Sequence, residues 1–167
     1  MSPKVIIMMG VSGCGKTTVG KLVSRHLECE FVEGDEYHSP ENIAKMGSGQ
    51  PLNDEDRFDW MNALNTKISE ILNAGGSGVL ACSALKEKHR KALSIGWERQ
   101  VLFIHIQGSF DTIHERMQAR KGHYMKAGML KSQSEALEPP ESVPTYDLLL
   151  PPEEIAAKVI ALPEVQA

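Results

Sequence analysis

Cysteine is scarce: Cys14, Cys29 and Cys82 are the only three in 167 residues. They are odd in number, scattered, and show neither a disulfide framework nor a zinc-ligand spacing. Such usage suits a reducing cytosol, and a cytoplasmic location is expected. Basic charge is not in excess either, with 18 Lys and Arg against 22 Asp and Glu and a net charge of -4. That argues against a dedicated nucleic-acid binder. No apolar run approaches the roughly 18 residues that span a bilayer, so no membrane partner is expected. The N-terminal "VIIMMGV" could pass for a signal-peptide core, but Lys16 follows soon after and no small-residue cleavage pattern is clear. A buried strand is the better reading. Internal repeats, low-complexity tracts, domain linkers and clusters of metal-spaced histidines are all missing. What remains is 41% hydrophobic and 24% charged, an ordinary globular composition of a length that suits a single domain over residues 1–167.

The chain alternates between two hydrophobic periods. "KVIIMM" (4–9), "EFVEGD" (30–35), "VLACSA" (79–84), "VLFIHIQ" (101–107) and "YDLLL" (146–150) read as five short strands. Between them, Val19, Leu22, Val23 and Leu27 fall at helical spacing, as do Phe58, Met61, Leu64, Ile68, Ile71 and Leu72 between Asp54 and Ala74. Further helices are expected over 110–121 and 126–138, and from Pro152 as the last one. "EPPESVP" reads as a surface loop. Strands alternating with helices imply an α/β fold, a five-stranded parallel sheet covered on both faces.

Between the first strand and the first helix lies "GVSGCGKTT", Gly10 to Thr18. Gly10, Gly13 and Gly15 let the backbone curl so that successive N–H groups, from Val11, Ser12 and Cys14 onward, converge on an anion. The helix opening near Lys16 adds its positive end. Lys16 can reach the outer phosphates, the Thr17 hydroxyl can bind Mg²⁺, and Thr18 completes the loop. A glycine turn that happens to precede Lys-Thr is the bland alternative. The strand–loop–helix context favours ATP with Mg²⁺.

This loop is shared by motors, GTPases, transporters and small-molecule kinases. Motors and GTPases place an acid at the end of a later strand, yet the third and fourth strands end "LACSA" and "FIHIQG". The guanine-reading Asn-Lys-x-Asp is absent too. Early in the chain, acids close a strand only at Glu33 and Asp35, in "FVEGDEYH". Carboxylates there suit a kinase, Glu33 helping to hold Mg²⁺ and Asp35 receiving a hydroxyl proton from a small acceptor. Asp35 as a turn acid and Glu33 as a solvated acid are the competing readings.

Together, "GVSGCGKTT", "EGDEYHSPENIAKMGSGQPLNDEDRFDW", "ACSALKEKHR" and "ARKGHYM" resemble the gluconokinases, from about Met9 to Glu138. "GDEYH", "KMGSGQPLNDEDR" and "CSALK" are far more specific than the phosphate loop. The resemblance implies a P-loop kinase fold like that of shikimate and nucleoside-monophosphate kinases, with a mobile lid over about 120–138. It implies ATP-dependent phosphorylation of D-gluconate at its 6-hydroxyl, and it suggests a dimer. Departures exist: Glu33 stands where the family more often has Asp, and "SQSEALE" replaces the commoner "QFETLE". A kinase of the same fold with another acceptor, such as shikimate or a nucleotide, remains open, as does a nucleotide-binding module without turnover.

Other candidates follow from position. His38 could contact a polyol hydroxyl, and Lys45 is raised only by the resemblance. Ser83 stands where the third strand ends, the usual ligand side of an open sheet. Lys86 and Arg90 lie at i,i+4 and could offer positive charge to an acidic substrate. Arg116 and Arg120 are also at i,i+4, Arg120 expected on the lid against the transferring phosphoryl group, with His123 a further lid candidate. Arg57 stands out in the first turn of the long helix, where a cation is mildly unfavourable. A two-pronged grip on a substrate carboxylate explains it. Local balance by Asp54, Glu55 and Asp56 is the plainer account.

Overall fold

The computed structural model describes residues 1–119 and 127–167. Its strands are β1 (Val5–Met9), β2 (Glu30–Glu33), β3 (Gly78–Ala81), β4 (Val101–Gln107) and β5 (Thr145–Asp147). They form one sheet in the order β2-β3-β1-β4-β5, and every pairing is parallel. All five residues of β1 are buried, as a central strand covered on both faces requires. Alternation along β1 divides the core: Ile6 and Met8 join one hydrophobic cluster, and Val5, Ile7 and Met9 join the other.

The first face is covered by α1 (Lys16–His26), α5 (Phe110–Ala119), α7 (Pro152–Ile160) and α8 (Pro163–Gln166), through residues such as Val19, Val23, Ile113, Ile155 and Val165. The second is covered by α3 (Asp54–Asn73) and α4 (Glu87–Ser94), through Trp60, Met61, Leu64, Ile68 and Leu93. Two more helices, α2 (Pro40–Gly47) and α6 (Ala127–Ala136), stand at the carboxyl ends of the strands. The buried ammonium of Lys4 donates to the carbonyls of Glu164 and Val165 at 2.6 and 3.2 Å and so ties down α8.

The expected strands and helices are present among the described residues, with some corrections; residues 120–126, which hold the end of the helix expected over 110–121, the first residue of the one expected over 126–138 and the beginning of the expected lid, lie outside them. Phe58 is 58% exposed, because Arg57 and Trp60 take the inward positions of the first turns of α3. The fifth strand stops at Asp147, since Leu148 turns inward and is buried. The helix begun by Pro152 is not the last, because Pro163 opens α8. Lys86 is the residue before α4 rather than part of it.

Candidate active site

The carboxyl end of β1 runs into the glycine loop, and Gly10, Gly13 and Gly15 have φ of 145°, 84° and 101°. Left-handed backbone of this kind strains any residue with a Cβ. Gly15 is the cap of α1, whose first turn holds no acidic side chain. The positive end of the helix therefore faces the loop without local compensation. Lys16 Nζ donates to the carbonyls of Gly10 and Val11 at 2.9 and 3.0 Å, which folds the ammonium back over the loop. Val11 and Cys14 have buried side chains, so only their backbone is on offer, and the Cys14 N–H already donates to Val11 O.

β2 delivers the acids. Gly34 permits this: a Cβ there would lie 2.3 Å from the Ala81 carbonyl at the end of β3. The close approach lets a short 3-10 turn, Gly34–Tyr37, carry Asp35 to the mouth of the loop. The Thr17 hydroxyl donates to Glu33 Oε2 at 2.5 Å. Burial is the main force raising the Glu33 carboxyl above its usual range, opposed by the Thr17 hydrogen bond, assisted by Asp35 and opposed again by Lys16. Two hard oxygens facing each other beside a phosphate loop form a donor set that fits Mg²⁺. Among the described residues no group of three or more His, Cys, Asp or Glu could hold a metal alone. A cation at Thr17 and Glu33 would therefore draw its other ligands from phosphate and water.

Two adjoining cavities open here. One runs along the loop past Gly13, Gly15, Thr17, Thr18 and Glu33. The other is walled by His38, Arg57, Trp60, Ser83 and Gln133. Ser12, Lys16 and Asp35 line both, so the two spaces meet at these residues.

Arg57 gives the second cavity its charge. It is 8% exposed, and among the described residues its guanidinium has no hydrogen bond or ion pair. Burial lowers its pKa, while Asp54 and Asp56 pull it back up. The capping box of α3 explains the placement. Asn53 Oδ1 accepts the Asp56 N–H at 2.8 Å and Asp56 Oδ2 accepts the Asn53 N–H at 3.0 Å, so the first turn is held rigidly. His38 stacks on Trp60 with ring centroids 3.8 Å apart, and Trp60 Nε1 donates to the Gly34 carbonyl at 2.8 Å. The pair props up the Asp35 turn from behind. Burial, with Arg57 assisting and Asp35 opposing, lowers the His38 pKa to about 4, so the imidazole is neutral at neutral pH.

Other expected residues sit elsewhere. Lys45 is held by Asp56 Oδ2 at 2.7 Å, and Lys86 by Asp54 Oδ1 at 3.3 Å, so neither ammonium lines the cavity. Arg90 does not share an open basic face with Lys86. Its guanidinium is buried and donates to the carbonyls of Ala84, Leu85 and Glu138 at 2.7, 3.2 and 2.9 Å. Arg116 donates to the Leu148 carbonyl beyond β5 at 3.1 Å. Arg120 and His123 lie outside the described residues. Trp60 and Gln133 were missed: a tryptophan beside a helical stripe reads as core, and "SQSEALE" drew notice for its departures from "QFETLE" rather than for the Gln133 that the two share.

Residues 12–147 match the sequence model of the shikimate kinase family. The chain is 40% identical over 181 residues to a probable gluconokinase of Rattus norvegicus, covering 95% of this chain and 97% of that one. It is 42% identical over 142 residues to the thermosensitive gluconokinase of Escherichia coli (strain K12), covering 85% and 75%. Among solved structures, it is similar to a gluconokinase from Sinorhizobium meliloti 1021, with a TM-score of 0.86 and 36% identity over 95% of this chain and 90% of that one. The shikimate kinase of Aquifex aeolicus shares the fold, with a TM-score of 0.63 at 18% identity over 93% and 94%.

Proposed function

We infer the reaction from a premise the comparisons supply: the chain belongs to the shikimate kinase family and, within it, to the gluconokinases. It is a phosphotransferase that phosphorylates gluconate with ATP. The observation that carries the residue-level reading is Arg57, a buried guanidinium without an ion pair among the described residues, in a cavity that meets the phosphate loop at Lys16 and Asp35. A buried cation is costly unless an anion joins it, and a planar fork matches a carboxylate.

Gluconate places its carboxylate on Arg57 and its far end, the 6-hydroxyl, at Asp35. The loop amides and the positive end of α1 hold the ATP phosphates. Lys16 leaves the Gly10 and Val11 carbonyls and turns to the β- and γ-phosphates. Thr17 and Glu33 would hold Mg²⁺, which would neutralise developing charge on the phosphates. Asp35 orients the 6-hydroxyl in line with the γ-phosphorus and accepts its proton. The new bond joins O6 to phosphorus as the bond to the ADP oxygen breaks, giving 6-phosphogluconate and ADP. His38 and Ser83 contact the polyol hydroxyls. Arg120 is assigned to the transferring phosphoryl group, Arg116 to the nucleotide side, and His123 to the lid.

The test is a coupled Mg-ATP assay over gluconate, glucose, shikimate and nucleoside monophosphates. Turnover is expected with gluconate and little with glucose, which leaves Arg57 unpaired. Arg57→Ala should raise the gluconate KM by roughly 10²-fold, the worth of a charged two-pronged bond, with the ATP KM nearly unchanged. Arg57→Lys should recover only part, since an ammonium is a point charge. An unchanged gluconate KM in Arg57→Ala would move the carboxylate clamp elsewhere.

A further inference from the structure

Among the described side chains of α6, Gln133 enters the site. Gln133 is 8% exposed, and its Oε1 accepts the Ser12 N–H at 2.8 Å. Ser12 belongs to the phosphate loop and lines both cavities, while Gln133 also walls the acceptor cavity beside Arg57 and Ser83. The helix that carries it is fixed on either side. Leu130 is fully buried in the core cluster that includes Val11 and Cys14 of the loop. Beyond the helix, the Glu138 N–H donates to Leu85 O at 2.8 Å, and Arg90 holds the Glu138 carbonyl. A long polar side chain loses much rotamer freedom when held this way, so the contact must be supported by what surrounds it.

We propose that Gln133 is a positioning residue that couples the two substrates: gluconate in the acceptor cavity packs against its side chain, and its carboxamide holds the Ser12 peptide in place for the ATP phosphates. The proposal rests on reading that cavity as the gluconate site. Gluconate packed on the side chain keeps the carboxamide on Ser12, and phosphates on the loop keep Ser12 on the carboxamide, so each substrate strengthens the contact the other uses. Coupling of this kind is reciprocal and requires no large movement.

The experiment measures binding of the Mg²⁺ complex of β,γ-imido ATP, which cannot transfer its phosphoryl group, by calorimetry with and without saturating gluconate. Gln133→Met keeps the length of the side chain and removes the polar contacts of the carboxamide, the bond from the Ser12 N–H among them. Gln133→Ala is a second variant, and melting curves establish that each is folded. Wild type should bind the analogue about tenfold tighter with gluconate present. In the variants that factor should fall to within about twofold of unity, whatever change each ligand shows when bound alone. An undiminished factor in a folded variant, or no factor in wild type, overturns the proposal. Failure of wild type to turn over gluconate with Mg-ATP would instead overturn the site reading beneath it.

Discussion

Asp35 and Arg57 stand 22 positions apart in sequence but line one cavity, in different surroundings. Asp35 sits where the two cavities meet, with a side chain 56% exposed, and the close approach of Gly34 to β3 carries it there. Arg57 sits deep, where an anion must come to it. Replacing Asp35 by Asn keeps size and hydrogen bonding and removes the base. The kcat should fall roughly 10²–10⁴-fold while the ATP KM changes little. Steady-state kinetics with each substrate varied in turn decides this, and a collapse in ATP affinity would assign Asp35 to the phosphate side.

At the scale of elements, the arrangement of α3, α4 and α6 matters more than any one contact. The capping box of α3 aims Arg57, and Asp54 in the same turn pairs with Lys86 and Lys88 at the start of α4. Exposed pairs of this kind contribute little. Arg90 is different, because it satisfies three carbonyls where α4 meets the segment after α6. Arg90→Ala leaves those groups without their donor and should cost roughly 3 kcal/mol. For a domain of this size that is a Tm lowered by about 6–12 °C. The gluconate KM should move much less than in Arg57→Ala. A large rise in KM at an unchanged Tm would make Arg90 a substrate ligand after all.

The whole molecule places its chemistry at the carboxyl ends of a parallel sheet, where β1 is central and the phosphate loop follows it directly. The interior around that site holds neutral histidines. Burial, helped by Arg57, Lys88 and Lys86 and opposed by Asp54, lowers the His89 pKa to about 4. Its Nδ1 accepts the Lys86 N–H at 3.3 Å, a bond that protonation of that nitrogen would abolish. His38 is lowered to about 4 and His105 is lowered as well, both chiefly by burial. Above pH 6.5 these imidazoles are neutral in both states and stability does not depend on them. Between 6.5 and about 4 the unfolded chain binds protons that folded His38 and His89 refuse, so stability falls as pH falls. Each such group adds a slope of up to about 1.4 kcal/mol per pH unit. Melting curves between pH 6.5 and 5 should therefore show a falling Tm, and His89→Gln should flatten it by roughly 3 °C per pH unit. An unchanged slope in that variant would mean His89 titrates normally.

What the sequence by itself determined was local. The glycine loop, the helix that follows it, the Asn53 cap and the two hydrophobic periods are each written in neighbouring residues, because turn conformation, capping and face alternation act over a few positions. The family was legible for the same reason, through contiguous motifs around Asp35 and Arg57. Only the tertiary structure decided which cations are available. Lys45, Lys86 and Arg57 look alike in sequence, yet the first two are neutralised by Asp56 and Asp54, and the third is buried facing a cavity. Arg90 and Gln133 depend on partners 48 and 121 positions away, Glu138 and Ser12. Pairing across such separations is set by how helices pack on the sheet, and no local pattern encodes it.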